Sequence, residues 1–446
     1  MKSINYFLSI IISFLFLSTS LIAEEKVKSE EKKDKSSLYS GLKFRSIGPA
    51  LMSGRISDIV IHPKNENVWY VTAGSGGVWK TENSGTTWSS IFDGQKSYSI
   101  GCITLDPQNL NVVWVGTGEN VGGRHVAYGD GIYKSEDGGK SWKNMGLKKS
   151  EHLSKIIVHP KNSNIVWVAS QGPLWSSGGE RGVYKTIDGG KTWTQTLGDS
   201  EWVGATDLLI DPRNPNHLYA ATWQRHRTVA GYMGGGPGTG IYKSTDGGEN
   251  WQELKKGLPK SNMGKIGLVL SPQNSDVIYA AIELDRRTGG VYKSIDQGAN
   301  WKKMSDAVAG GTGPHYYQEL YASPHNEGEI YLADNYMQVS YDGGKTFVRM
   351  NETEKHVDNH AVAFKMSDPN YILVGCDGGL YESFDRTKNW KFVDNLPLTQ
   401  FYKIAVDDAK PFYNVFGGTQ DNNTQGAPSR TDNIHGIRNS DWFIVL

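Results

Sequence analysis

The chain has almost no cysteine. Only Cys102 and Cys376 occur in 446 residues. A disulfide framework is therefore excluded as the source of stability, because cross-linked domains carry many more. Net charge is missing as well, since Lys plus Arg and Asp plus Glu each total 47. Nucleic-acid binding needs a basic excess, and there is none. No segment shows the spacing of a long amphipathic helix. Short catalytic signatures are absent too: no Gly-x-Ser-x-Gly, no His-Glu-x-x-His and no phosphate loop.

Long apolar runs are missing except at the start. Lys2 precedes an apolar stretch from Tyr6 to Leu17, and small residues lead up to Ala23. That pattern predicts a signal peptide over 1–23 and a secreted or periplasmic protein with no membrane anchor after cleavage. Residues 24–38 are charged and polar, which predicts a disordered spacer.

What is present points to strands. Glycine is abundant at 53 residues, with 22 Tyr and 14 Trp. Gly-rich turns between aromatic runs signal many short strands, hence an all-β chain. A chain of this length strains a single core, but repeats escape that limit because each unit packs on its neighbours. The repeat is Ser/Thr-x-Asp-x-Gly-x-x-Trp. Full copies begin at Ser135, Thr186, Ser244 and Ser294. Looser ones begin at Thr81 (Asn83 for Asp), Ser340 (Phe347 for Trp) and Ser383 (Thr387 for Gly). Seven copies at spacings of 43 to 58 residues mark one structural unit. The Asp caps backbone N–H groups in a tight turn, and the Gly takes a positive-φ position. The Trp opens the next strand; if Trp142 were fully packed, its loss would cost ~3–5 kcal/mol.

A second repeat has the same period. Six units carry Pro-x-Asn with an aromatic seven residues after the Pro: Tyr70, Trp114, Trp167, Tyr219, Tyr279 and Tyr331. A Gly-Val/Ile-Tyr-Lys run precedes most of the Asp turns. Each unit therefore reads as four strands, A to D, in ~40–50 residues, the period of a propeller blade. The expected fold is a seven-bladed β-propeller over 40–398. Residues 399–446 are expected to begin a further blade or second propeller, which suggests a fragment of a longer chain. Cys102 and Cys376 fall in blades two and seven, so two separate thiols are expected.

The Asp turns resemble the Asp-box of bacterial neuraminidase-type repeats. Their Gly-Val-Tyr-Lys-Ser-x-Asp-Gly-Gly-x-x-Trp context is similar to the N-terminal propeller of sortilin-type receptors and their large bacterial relatives. It also resembles the two-propeller xyloglucanases. The resemblance covers roughly residues 40 to 446 and implies fold far more than function.

Strand order puts the A–B and C–D turns on one face and the B–C and D–A loops on the other. The repeated motifs occupy the first face, so a site is expected on the second. Its candidate ligand-binding residues are Trp175, Trp223, Arg225, His226, Arg227, Tyr232, Glu283 and Asp377. Equally, these loops could only plug the channel mouth or pack on another domain. In a D–A connection, His356, Asp358 and His360 would point the same way if extended, and could hold a divalent metal. The alternative for them is a hydrogen-bonded strand start. No other cofactor is indicated.

Three functions follow. The first is a sortilin-like propeller binding a protein, peptide or glycan. The second is a glycoside hydrolase, which needs two carboxylates ~5–10 Å apart. In the xyloglucanase-like pattern the first carboxylate precedes a Gly-Gly-aromatic strand; here Gly74 holds that position, and the second belongs to a second propeller. The third, a sialidase, is set aside: Phe44-Arg45 only loosely matches its Arg motif, and such enzymes usually have six blades.

Overall fold

The structure, a computed structural model, describes residues 41–42, 45–198, 200–285, 288–310, 313 and 315–445. The signal-peptide and spacer expectations, over 1–23 and 24–38, lie outside the described residues. All that follows concerns the compact unit Gly48–Leu446. Among the described residues no helix is long and apolar enough to cross a membrane.

The unit is all β. Among the described residues, eight four-stranded antiparallel sheets follow one another, spanning 56–90, 100–144, 153–197, 203–254, 266–305, 320–349, 359–392 and 401–444. Each is a meander in the order A-B-C-D, as the repeat predicts. The fourth sheet inserts a two-stranded hairpin, His226–Arg227 with Tyr232–Met233, between its strands B and C.

Strand A is the inner strand. The A strands of the first to sixth sheets pack side by side in chain order, and that of the first also packs against that of the seventh. Tyr321 in the sixth donates its hydroxyl to the His360 carbonyl in the seventh at 2.7 Å. Two aspartates clasp neighbours: Asp58 accepts from Ile103 N at 2.9 Å, and Asp207 accepts from Leu268 N at 2.8 Å. Apolar residues of the first and seventh sheets share one core, Ile56, Trp69 and Val71 with Ala361, Tyr371 and Leu373. Outside it, the Trp88 indole donates to Asn395 Oδ1 at 3.2 Å, and Asn395 Nδ2 donates back to the Gly85 carbonyl at 2.9 Å.

The repeated turn behaves as its chemistry dictates. In the second sheet, Ser135 Oγ accepts from Gly139 N at 2.8 Å, and Asp137 accepts from Ser141 N at 2.9 Å. The hydrogen bonds from Ser141 lead in holding the Asp137 carboxyl down at about 2. Gly139 has φ +95, as the turn requires. In the seventh sheet Thr387 holds that place at φ +71 and is buried. A β-branched residue is strained there. Thr387→Gly is expected to raise stability by roughly 0.5–1 kcal/mol, as measured by urea unfolding, despite losing the hydroxyl's contact with Tyr341. An unchanged or lower midpoint would show that the strain is already compensated.

One expectation is corrected. Trp142 is only half-buried, as are Trp88, Trp193 and Trp251. Their indoles reach back to the preceding sheet: Trp142 Nε1 donates to the Ile91 carbonyl at 2.6 Å and Trp193 Nε1 to the Met145 carbonyl at 2.8 Å. The strand-B aromatics are the core anchors instead, with Tyr70, Trp114, Trp167, Tyr219, Tyr279 and Tyr331 all buried. In the first five sheets a lysine of strand C covers them, Lys134 lying 5.3 Å from the Trp114 ring and Lys185 5.7 Å from that of Trp167. Cys102 and Cys376 are separate buried thiols, as expected.

The eighth sheet differs. Tyr402, Ile404 and Val406 on its strand A are exposed. It touches the others through its B–C turn and the start of its strand C. Gln425 Oε1 accepts from Leu51 N at 3.2 Å, and Asn422 Nδ2 donates to the Asp377 carbonyl at 3.1 Å.

Candidate functional site

The inner strands enclose an axial cavity walled by Asp58, Lys155, Asp207, Lys265 and Glu319. Lys265 and Glu319 pair at 2.6 Å. The B–C loop of the second sheet, 119–126, lies over one end, with Asn120 in the cavity wall. Every neighbour holds this loop. Gln171 Nε2 donates to the Asn120 carbonyl at 3.0 Å and Arg225 Nη1 to that of Val121 at 3.2 Å. Arg227 donates twice to the Gly122 carbonyl, at 3.0 and 2.8 Å. Gly122 N donates to the His315 carbonyl at 2.8 Å, and Val121 is buried among Ala309, Tyr316 and Tyr317.

Beside this plug lies a buried polar network centred on Arg55, where the chain enters the first sheet. Its guanidinium meets Asp377 twice, at 2.6 and 2.8 Å, and Glu119 at 2.7 Å. It also donates to the Tyr316 hydroxyl. Its Nη1 lies 2.7 Å from His125 Nε2, which accepts. Burial, then the charge of Arg55, pulls the His125 imidazole below its ordinary value, so it is neutral at pH 7. His360 Nε2 pairs with Asp377 at 2.8 Å and its ring stacks on Tyr317. Burial works to raise the Asp377 carboxyl, but Arg55 and His360 outweigh it and hold it well below the usual range.

Two further carboxylates face this network. Asp358 accepts from the Tyr317 hydroxyl and from Asn335 Nδ2 at 2.6 Å. Asp421 is exposed on the B–C turn of the eighth sheet. Both are left-handed, at φ +65 and +53, backbone that non-glycine residues rarely adopt. Oxygens of Asp358, Asp377 and Asp421 all lie within 4.8 Å of one another. Among the described residues, this is the group that could hold a metal.

The predicted residues divide. Trp175 is exposed on its loop. Trp223, Arg225 and Arg227 are buried, contrary to the expected open surface. The two arginines hold the plug, and each stacks on an aromatic ring: Arg225 on Trp223 and Arg227 on Tyr232. Burial, with only carbonyls bonded to it, lowers the Arg225 guanidinium's pKa. Replacing Trp223 and Arg225 would therefore loosen the loops rather than remove a contact surface. His226 packs edge-on to Trp202. Tyr232 and Glu283 line a second cleft of about 470 Å³ with Met263, Asp285 and His315. Asp377 sits at the centre of the Arg55 network.

His356, Asp358 and His360 do not converge. The left-handed backbone at Asp358 breaks the extended run, the His360 ring is turned to Asp377, and His356 Nδ1 meets its neighbour's carbonyl at 2.7 Å. Sequence reasoning missed Arg55, Glu119, Tyr316 and Asp421 as site residues. A signal was available. Asp377 holds the repeat position that Gly74 has in the first sheet, one residue beyond strand B, and Glu119 and Asp421 stand one residue further on. A Cβ on Gly74 would stand 2.5 Å from Glu119 Oε1, so the Glu119 carboxylate occupies the space an aspartate there would need.

Known proteins resemble the chain in part. The family model "Sortilin, neurotensin receptor 3" matches residues 130–287. A xyloglucanase of Hypocrea jecorina is 25% identical over 230 residues, 45% of this chain and 26% of the relative. A Paenibacillus xyloglucanase is 26% identical over 218 residues, 44% of this chain and 20% of the relative. The matched part thus spans about a quarter of these curated relatives. Among solved structures, the GH74 enzyme of Niastella koreensis aligns with TM-score 0.61 and 18% identity, covering 89% of this chain and 61% of that one. YCF48 from Cyanidioschyzon merolae aligns at TM-score 0.50 and 17% identity, covering 77% of this chain and 99% of that one. The relatives favour the glycoside-hydrolase-like reading over the sortilin-like one, which has the 130–287 match alone. Together these likenesses establish the fold: the chain is an all-β propeller of four-stranded antiparallel sheets.

Proposed function

We propose that the chain is a secreted, glycoside-hydrolase-like propeller whose loop face holds a polysaccharide of the glucan class. In this reading the first seven sheets close as a seven-bladed ring with Asp-box C–D turns, and the eighth begins a further unit. The N-terminal pattern over 1–23 supports export.

The observation that carries the proposal is the pairing of an immobile charged centre with open aromatic rings. Tyr98, Tyr128 and Trp175 are exposed on successive loops. The loops of Tyr98 and Tyr128 are tied together, Ser99 Oγ donating to the Ala127 carbonyl at 2.8 Å. Flat rings on a rigid scaffold suit the apolar faces of sugars. The xyloglucanase relatives supply the ligand class.

The test is titration of the purified chain with xyloglucan, mixed-linkage glucan and a peptide library, with product analysis after incubation. Binding to a glucan is expected, weakened about tenfold or more in Tyr128→Ala/Trp175→Ala. Released oligosaccharide would assign hydrolysis to this chain, and binding without release would make it a recognition wall. Peptide binding with no glucan affinity would overturn the proposal in favour of the sortilin-like reading.

A further inference from the structure

The Arg55 network is short of positive charge. Glu119, Asp358, Asp377 and Asp421 bring four carboxylates, and the Arg55 guanidinium meets two of them, Glu119 and Asp377. His360 is hydrogen-bonded to Asp377, and His125 accepts from Arg55. Keeping Glu119 and Asp377 buried beside two further carboxylates is costly unless something compensates the charge.

A second observation lies in the same turn. Gln420 and Asn422, which flank Asp421, are both more than nine-tenths buried, at 8% and 6% exposure. Their amide oxygens, Gln420 Oε1 and Asn422 Oδ1, are buried with no hydrogen-bond donor. Both amides are held on the cluster. Gln420 Nε2 donates to Asp421 Oδ2 at 2.6 Å, and Asn422 Nδ2 donates to the Asp377 carbonyl at 3.1 Å. Buried acceptors are normally satisfied, so two unmet ones beside three carboxylates indicate a cation.

We propose that Asp358, Asp377 and Asp421, with the Gln420 and Asn422 amide oxygens, form a calcium site that clamps the eighth sheet to the other seven. The donors are all oxygen, which selects a hard cation over zinc or copper. Carboxylate and amide oxygens carried on loops suit calcium, which takes six to eight oxygens in flexible geometry, over magnesium, which demands near-ideal octahedral geometry and keeps several waters. Asp377 serves from behind, its charge shared with Arg55 and its orientation set by His360. The ion spans the entry to the seventh sheet, the end of its strand B and the turn of the eighth. No glycan is needed for this role.

The experiment is calorimetric titration of the EGTA-stripped, dialysed full chain with CaCl₂ and, separately, MgCl₂, in the absence of sugar. Saturable Ca²⁺ binding, about one ion per chain and at least about tenfold tighter than Mg²⁺, is expected, with a matching rise in thermal midpoint. Asp421→Asn, at an exposed position that keeps the fold by circular dichroism, is expected to abolish binding, and Asp358→Asn to weaken it by about tenfold or more. No Ca²⁺ binding by the wild-type chain, equal Mg²⁺ affinity, or binding that survives both substitutions would each overturn the site. Because no polysaccharide is present, these outcomes are independent of the glucan-binding reading.

Discussion

Replacing Arg55 by methionine is expected to destabilise the chain by about 3–5 kcal/mol, because it leaves two buried carboxylates without their cation. The guanidinium is 1% exposed and bridges Asp377, 0% exposed, to Glu119, 1% exposed. It also meets Tyr316 and His125, so one substitution releases groups on the second, sixth and seventh sheets. Urea unfolding at pH 7 measures the loss. Asp377→Asn removes the other side of the pair and adds a pH signature. The folded Asp377 carboxyl titrates far below its unfolded value of ~3.9, so its contribution is full above ~pH 4 and declines as pH falls further. The gap between wild type and Asp377→Asn should therefore narrow by about 1.4 kcal/mol for each pH unit below ~4. A gap of the same size at pH 3 and pH 7 would show that Asp377 is not held ionised by this network.

Trp167→Ala is expected to cost about 3–5 kcal/mol, and Trp193→Ala less than about half of that. Both are tryptophans of the third sheet, and both belong to repeats visible in the chain. Trp167 is 1% exposed, lies beneath Lys185, and donates its indole N–H to the Gly247 carbonyl of the next sheet at 3.0 Å. Trp193 opens strand D, half in solvent, and keeps one bond to the Met145 carbonyl. Denaturant midpoints of the two variants decide the order. Equal losses would mean that the outer strand is as tightly packed as the inner ones.

That ordering shows where sequence pattern and packing part. The Ser-x-Asp-x-Gly-x-x-Trp motif is the more conspicuous signal, yet its conservation of spacing within the chain comes from turn chemistry. Ser135, Asp137 and Gly139 satisfy one another locally, so the motif is legible without knowledge of the neighbours. The strand-B aromatic looks weaker in sequence, since Tyr and Trp alternate there. It carries more of the core because the next sheet closes over it, as the Tyr219 hydroxyl reaching the Gln297 carbonyl at 3.1 Å illustrates.

The site was legible only in outline. Strand order placed it on the loop face, and Asp377 and Asp358 were named. Arg225 and Arg227 looked like surface anchors because long loops rich in Arg usually meet solvent. Here the 119–126 loop folds back over the axial cavity, and its carbonyls take up those guanidiniums. Nothing in the spacing of Arg225 relates it to Val121, which lies 104 residues earlier.

The sequence by itself determined the secondary structure, the four-strand period and the face on which the long loops lie. These follow from short-range chemistry: turn capping, glycine at positive φ, and aromatics at fixed offsets from Pro-x-Asn. Tertiary structure alone decided which charges meet. Arg55 and Asp377 are separated by 322 residues and paired at 2.6 Å because the first sheet packs on the seventh. Asp421 joins them only because the eighth sheet's turn docks beside Asp377. A repeat repeats its local interactions; the contacts made where the series returns to its start occur once, and no periodicity announces them.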